Sequence, residues 1–136
     1  MKNTLKIGLT VALVLAMSLS VAGCTSNTST SGQALTLTAT QVPVNESVTD
    51  YYGANAVAIN ATITNNNAGT FKLSSDNFFL TDSSGHIEQP VSPTTSDVSD
   101  SGNWITTPMY FQITQGTTPA TLRYYDGTHD ISCSVS

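Results

Sequence analysis

For acid–base or nucleophilic chemistry this sequence offers two histidines, His86 and His129, and nine carboxylates. Covalent hydrolysis needs a nucleophile with a base beside it and a third group to orient that base. Serine is so abundant, at 17 residues, that a Ser near a His carries no information. There is no Gly-x-Ser-x-Gly elbow, and no Gly-rich loop ending in Lys to cradle a phosphate. These residues predict a non-catalytic protein and imply no cofactor. The densest group of ligating atoms is Asp126-Gly127-Thr128-His129-Asp130. Asp126 and Asp130 could offer oxygens to calcium, and His129 could join them with an imidazole. The same Asp-Gly pair is what a tight hairpin turn favours. Asp97 and Asp100 form a second, sparser acidic pair that would serve equally as solvated loop residues.

Aromatic side chains point to binding rather than catalysis. Tyr51, Tyr52, Phe79, Trp104 and Tyr125 fall at strand ends or opposite the aliphatic residues. Rings exposed in that way stack on sugars or anchor a protein partner, whereas the same rings turned inward would cap a core. Three Asn-x-Ser/Thr sequons, at Asn27, Asn45 and Asn60, would accept glycans in a host with that machinery, and Asn60 falls on the outward side of its strand. Of the two cysteines, Cys133 alternates with serines alongside Ile131 and Val135. A period of two places it on the apolar face of a strand, as a small hydrophobe with no basic neighbour to make a thiolate.

The elements that must position these residues are strands. Of 136 residues, 22 are Thr and 17 are Ser, and only 10% are charged. That composition disfavours helical bundles and coiled coils, while Thr, Val, Ile and Tyr favour pleated strands. Residues 35–40 alternate Leu37 and Ala39 against threonines, and residues 56–64 alternate Val57, Ile59, Ala61 and Ile63 against polar partners. Residues 41–55 read as a loop, 65–69 as an Asn-rich turn and 92–103 as a long Ser/Thr-rich surface loop. Short strands follow at residues 71–73, 78–80, 86–91, 104–113, 122–125 and 131–135. Seven or eight short strands with turns between them predict an all-β, antiparallel two-sheet sandwich of immunoglobulin type. No segment shows a helical period. The acidic balance, with four basic residues, argues against nucleic acid.

The first 24 residues have another purpose. Lys2 and Lys6 precede an apolar run over residues 7–22 that is too short to span a bilayer comfortably and suits the h-region of a signal peptide. The run closes on Val21-Ala22-Gly23-Cys24, which resembles the lipobox of prokaryotic lipoproteins, a resemblance that implies lipid modification of Cys24. Two or more acyl chains, at about 0.8 kcal/mol per buried methylene, would hold the protein stably on a membrane. A plain secretory signal or an uncleaved anchor are the alternatives. Residues 1–23 are thus a signal peptide, 24–32 a Ser/Thr-rich tether and 33–136 the sandwich. Removing the signal leaves 113 residues, in which Lys72 and Arg123 face nine acids for a net charge of -7.

The order of features resembles a family of prokaryotic lipoproteins and secreted proteins with a telokin-like, immunoglobulin-type domain of unknown function. The resemblance rests on residues 56–66 (AVAINATITNN), 75–85 (SDNFFLTDSSG), 110–113 (YFQI) and 122–127 (LRYYDG). One departure is Asp100-Ser101-Gly102-Asn103-Trp104, where the family has a Pro-Gly-Glu-like turn. The resemblance implies a lipid-anchored surface module at the cell envelope with no catalytic residues, interacting with a protein or ligand. An extracytoplasmic carbohydrate- or small-ligand-binding protein, assisted by calcium in the acidic loops, is the alternative.

Overall fold

Alternation of β-branched and small residues builds the central hairpin. In β2 (Leu35–Val42) and β3 (Ala56–Asn65), Leu35, Leu37, Ala39, Ile59, Ala61 and Ile63 are buried. The strands pair antiparallel from Leu35↔Asn65 to Val42↔Ala58, so apolar residues meet apolar residues across the ladder. The computed structural model describes residues 28–29, 35–65, 71–99, 102–105 and 108–136.

Strands β8 (Gly102–Ile105) and β9 (Met109–Gln112) share the other edge of β3, the first against Thr62–Asn65 and the second against Ala56–Ile59. The second sheet runs in the order β1 (Thr28–Ser29), β11 (His129–Ser134), β10 (Pro119–Tyr125), β5 (Phe78–Asp82), β6 (Ile87–Glu88). A separate ribbon joins β4 (Phe71–Ser74) to β7 (Ser96–Ser99). This is the immunoglobulin arrangement, with β2, β3 and β8/β9 in the places of strands A, B and E, and β5, β10 and β11 in those of C, F and G. The chain's last residues lock the two sheets together. Val135 makes a parallel bridge to Ala39, the Gln41 amide donates to the Ser136 carbonyl at 2.8 Å, and the Ser136 amide donates to the Ala39 carbonyl at 3.2 Å.

Between the sheets lies a core whose largest fully buried side chains include Tyr124, Phe78 and Phe111. Phe78 and Tyr124 meet edge to face, with ring centroids 5.0 Å apart at 65°. Cys133 is buried opposite Leu122, as its alternation predicts.

Four local expectations are corrected. The stretch 41–55 is not all loop: β2 extends to Val42, and α1 (Glu46–Tyr52) follows. This helix buries none of its residues, so it left no apolar stripe to read. Residues 92–103 are not a single loop, because β7 and the start of β8 lie there, held by ladder hydrogen bonds rather than apolar periodicity. The strand expected over 104–113 is two strands: β8 ends at Ile105, and β9 starts at Met109, after Pro108, which has no amide to give a ladder. The arm expected over 86–91 shrinks to the two residues of β6. Within the expected tether, Thr28–Ser29 pairs with β11, and the signal segment and Cys24 lie outside the described residues.

Candidate functional site

A ledge of three tyrosines stands on the outer side of the β2–β3–β9 sheet. Its support is α1, whose start and stop are both chemical. The Asn45 carboxamide oxygen accepts the Val48 amide at 3.0 Å, and the Gly53 amide donates to the Thr49 carbonyl at 2.9 Å. Gly53 has φ 105° and ψ 160°, a region essentially reserved for glycine. A side chain there would also collide with the Gln112 carboxamide, whose nitrogen donates to the Tyr52 carbonyl. The helix end is thereby pinned to β9. Tyr52 then stacks on Tyr110, with centroids 5.0 Å apart at 26°, and Tyr51 meets Tyr52 edge-on at 4.7 Å. Tyr51 is 81% exposed, the most exposed large apolar side chain among the described residues.

Beside Tyr110 lies a cavity of about 310 Å³, lined by Ser92, Pro93, Thr95, Pro108, Met109 and Tyr110. Its far wall is the 91–95 loop. The Val91 amide donates to the Tyr110 carbonyl at 2.8 Å, and the Tyr110 amide donates to Ser92 Oγ at 3.2 Å. Buried Ser75 holds the other end, with amide–carbonyl and amide–hydroxyl bonds to Thr95, each of 2.8 Å.

The remaining expected aromatics stand elsewhere. Tyr125 is 43% exposed on the outer face of the opposite sheet, under the Arg123 guanidinium at 4.8 Å. Trp104 faces Ile63 in the β3–β8 ladder, and its side chain lies outside the described residues. Phe79 is half-buried opposite Arg123 in the β5–β10 ladder. The five aromatic residues named from sequence are therefore not one surface, and Tyr51 with Tyr52 are the pair that the fold brings together.

The Asp126–Asp130 cluster also divides. Asp126 Oδ1 accepts the amides of Thr128 at 2.9 Å and His129 at 2.6 Å, closing the turn around Gly127 (φ 89°). Its Oδ2 lies 2.8 Å from His129 Nδ1 and 3.4 Å from the Tyr124 hydroxyl. Burial pushes the Asp126 carboxyl up, but the bonds from His129 and Thr128 outweigh it and hold the group below the ordinary carboxylate range. Asp130 points to the other face, where both its oxygens meet Arg123 at 2.7 Å. That paired guanidinium holds Asp130 low, and Asp130 in turn raises Arg123. Successive strand residues face opposite ways, so His129 and Asp130 do not converge on one ion. Among the described residues, no three His, Cys, Asp or Glu side chains stand close enough together to hold a metal. Asp97 sits opposite Leu73 in the β4–β7 ladder, with its side chain outside the described residues, as is the whole of Asp100.

Among the described carboxylates, the most deeply embedded is Asp82, which was not among the candidate residues. Asp82 is 2% exposed, and its Oδ1 accepts the Ser84 amide, the Ser84 hydroxyl at 2.6 Å and the His86 amide. Its Oδ2 accepts the Thr114 amide and the Thr117 hydroxyl, each at 3.1 Å. The Ser84 hydroxyl contributes most to a pKa far below the ordinary carboxylate range, against the opposing effect of burial. Asp82 is a structural knot that ties the β5–β6 turn to the loop before β10. His86 extends that knot through a 2.8 Å contact between Nδ1 and Thr114 Oγ1.

The sequons separate as well. Asn45 is spent on the α1 cap but exposed, and Asn27 lies outside the described residues. Asn60 lies on the outward side of β3, between the core residues Ile59 and Ala61; it is half-buried, and its Oδ1 is enclosed without a hydrogen-bond partner.

Tyr110 was the ring missed as a binding residue. The inward alternation of Met109, Phe111 and Ile113 already turned it outward, but its partner Tyr52 depends on an unforeseen helix.

No family model matches the chain. Nor does any curated protein. Among solved structures, the chain is similar to MPT63, a secreted protein from Mycobacterium tuberculosis, with 16% identity over 80% of this chain and 86% of that chain and a TM-score of 0.50. At that identity the likeness carries the fold, an immunoglobulin-like β-sandwich, and nothing finer.

Proposed function

We propose that the chain is a non-catalytic, lipid-anchored immunoglobulin-like module of the prokaryotic cell envelope, akin to the telokin-like lipoprotein family. An acyl-modified Cys24 would hold it on the extracytoplasmic side of a membrane, and the tyrosine ledge would meet a protein or ligand there. The observation that carries the interaction reading is Tyr51, 81% exposed at the tip of a capped helix and braced by the Tyr52–Tyr110 stack. A rigid ring presented to water is the kind of residue that anchors interfaces, because its burial releases much apolar area at little entropic cost. The lipobox supports the anchor, and among the described residues no helix is long and apolar enough to cross a membrane.

Two measurements test the two parts. Cys24→Ala should move the protein from the membrane fraction to the soluble fraction, and unchanged membrane association refutes the anchor. Partner capture from the protein's own envelope should be lost with Tyr51→Ala while melting behaviour is preserved. Equal capture by both forms refutes the ledge as the contact.

A further inference from the structure

We propose that the cavity beside Tyr110 is a binding site for a neutral sugar ring, a pyranose of an envelope glycan. The proposal rests on the surface-module reading and names the ligand class for the neighbourhood of its ledge. The six described lining residues, Ser92, Pro93, Thr95, Pro108, Met109 and Tyr110, carry no charge, so none of them would pair with a phosphate, a carboxylate or a cation. What it offers is the mixture a pyranose requires. Tyr110 and the rings of Pro93 and Pro108 give flat C–H and π surface, while the hydroxyls of Ser92 and Thr95 give donors and acceptors at the rim. At about 310 Å³ the cavity stands at the lower end of the range for small-molecule sites, roughly 300–1,000 Å³, which suits one or two sugar rings.

The site is also pre-organised, which is what weak neutral ligands need. Five hydrogen bonds fix the wall: Val91 and Ser92 to the Tyr110 backbone, Thr95 twice to Ser75, and the Thr94 hydroxyl to Asp76 at 2.8 Å. None of them uses the Thr95 side chain, which is exposed beside the cavity. Tyr52 stacked on Tyr110 fixes that ring's orientation. A proline-rich peptide would instead need a slot between rings, and Tyr52 and Tyr110 close that slot by packing on each other.

The test is a ¹⁵N–¹H NMR titration of the full chain, in a detergent without a sugar headgroup. The probes are methyl α-mannoside, methyl β-galactoside, methyl β-glucoside, N-acetylglucosamine and a proline-rich peptide. At least one sugar is expected to shift the amides of Ser92, Thr95, Met109 and Tyr110 with millimolar affinity. Tyr110→Ala should abolish the shifts, and Tyr110→Phe should keep them. Tyr110 borders the core, so Thr95→Val is the second probe: it spares the loop's backbone bonds and should weaken binding about fivefold, the worth of one hydrogen bond. The proposal is overturned if all sugars are silent at millimolar concentration, if the shifts fall elsewhere, or if only the peptide moves these amides. Silence of the sugars leaves the Cys24→Ala fractionation result untouched, so the two readings fail separately.

Discussion

Alkaline pH should destabilise this domain through a buried phenol, that of Tyr124. The side chain is fully enclosed between the sheets, with its hydroxyl 3.5 Å from the Lys72 carbonyl and 3.4 Å from Asp126 Oδ2. Burial is the main cause that pushes its pKa from 10.0 up to about 12, and the Asp126 charge adds to it against a hydrogen bond from Asn77. The folded state therefore keeps the proton at a pH where the unfolded chain releases it. Stability from this group is fully present below pH 10 and falls as the pH rises through about 12. At about 1.4 kcal/mol per tenfold change in proton affinity, the loss would reach about 2.7 kcal/mol. The hydrogen bonds of that hydroxyl are only part-buried, so water screens the charge and about 1–2 kcal/mol is expected. For a domain of this size that lowers the melting temperature by roughly 4–12 °C. The assay is calorimetry across the alkaline range on wild type and Tyr124→Phe, with tyrosinate absorbance followed in parallel. Tyr124→Phe should flatten the alkaline limb, and at neutral pH it should cost about 1–2 kcal/mol for the hydroxyl's hydrogen bonds, those with Lys72, Asp126 and Asn77 among them. An alkaline limb of equal slope in both proteins would refute the reasoning.

Two further outcomes follow from the site. Gly53→Ala should cost about 1–3 kcal/mol, because alanine is strained at φ 105° and its methyl meets the Gln112 carboxamide. The helix end should loosen and Tyr51 capture should weaken with it, so an unchanged melting temperature with an intact ledge would contradict the account of α1. Asp82→Asn should accelerate amide hydrogen exchange at Ser84, His86 and Thr114, whose N–H groups point at the carboxylate. Because the folded carboxyl stays ionised well below its ordinary 3.8, its stabilisation is present above that pH and lost as the pH falls beneath it. Acid unfolding of the variant should accordingly be less steep, and an unaltered acid limb argues against Asp82 as the knot.

The strands were legible wherever one face was buried. Leu35 to Ala39, Val57 to Ile63 and Ile131 to Val135 alternate because one side of each meets the core, and that period is written in the residue types themselves. The burial of Cys133 and the Asp126-Gly127 turn were legible for the same local reason. Where apolar burial does not act, the pattern is silent. Helix α1 buries nothing, and only Asn45 and Gly53 at its ends signalled it. Strand β4 was legible from Phe71 and Leu73, and Leu73 is buried, but its pairing with β7 joins residues more than twenty apart and is not written in either stretch.

What the amino-acid order determined by itself was the class: a Thr-rich, weakly charged chain with period-two strands, entered through a signal-like segment ending at Cys24. The tertiary structure alone decided which side chains share a surface. Alternation assigns a residue to one of two faces, but not to a neighbour. So Tyr125 and Asp130 went to one side of the sandwich and Tyr51 and Tyr52 to the other. Tyr110, forty residues or more from its sheet and helix partners in the sequence, met them only because β9 pairs with β3 and Gln112 holds the end of α1. Long-range pairing closes loops whose cost and reward are not local, and for that reason the ledge and its cavity are properties of the fold.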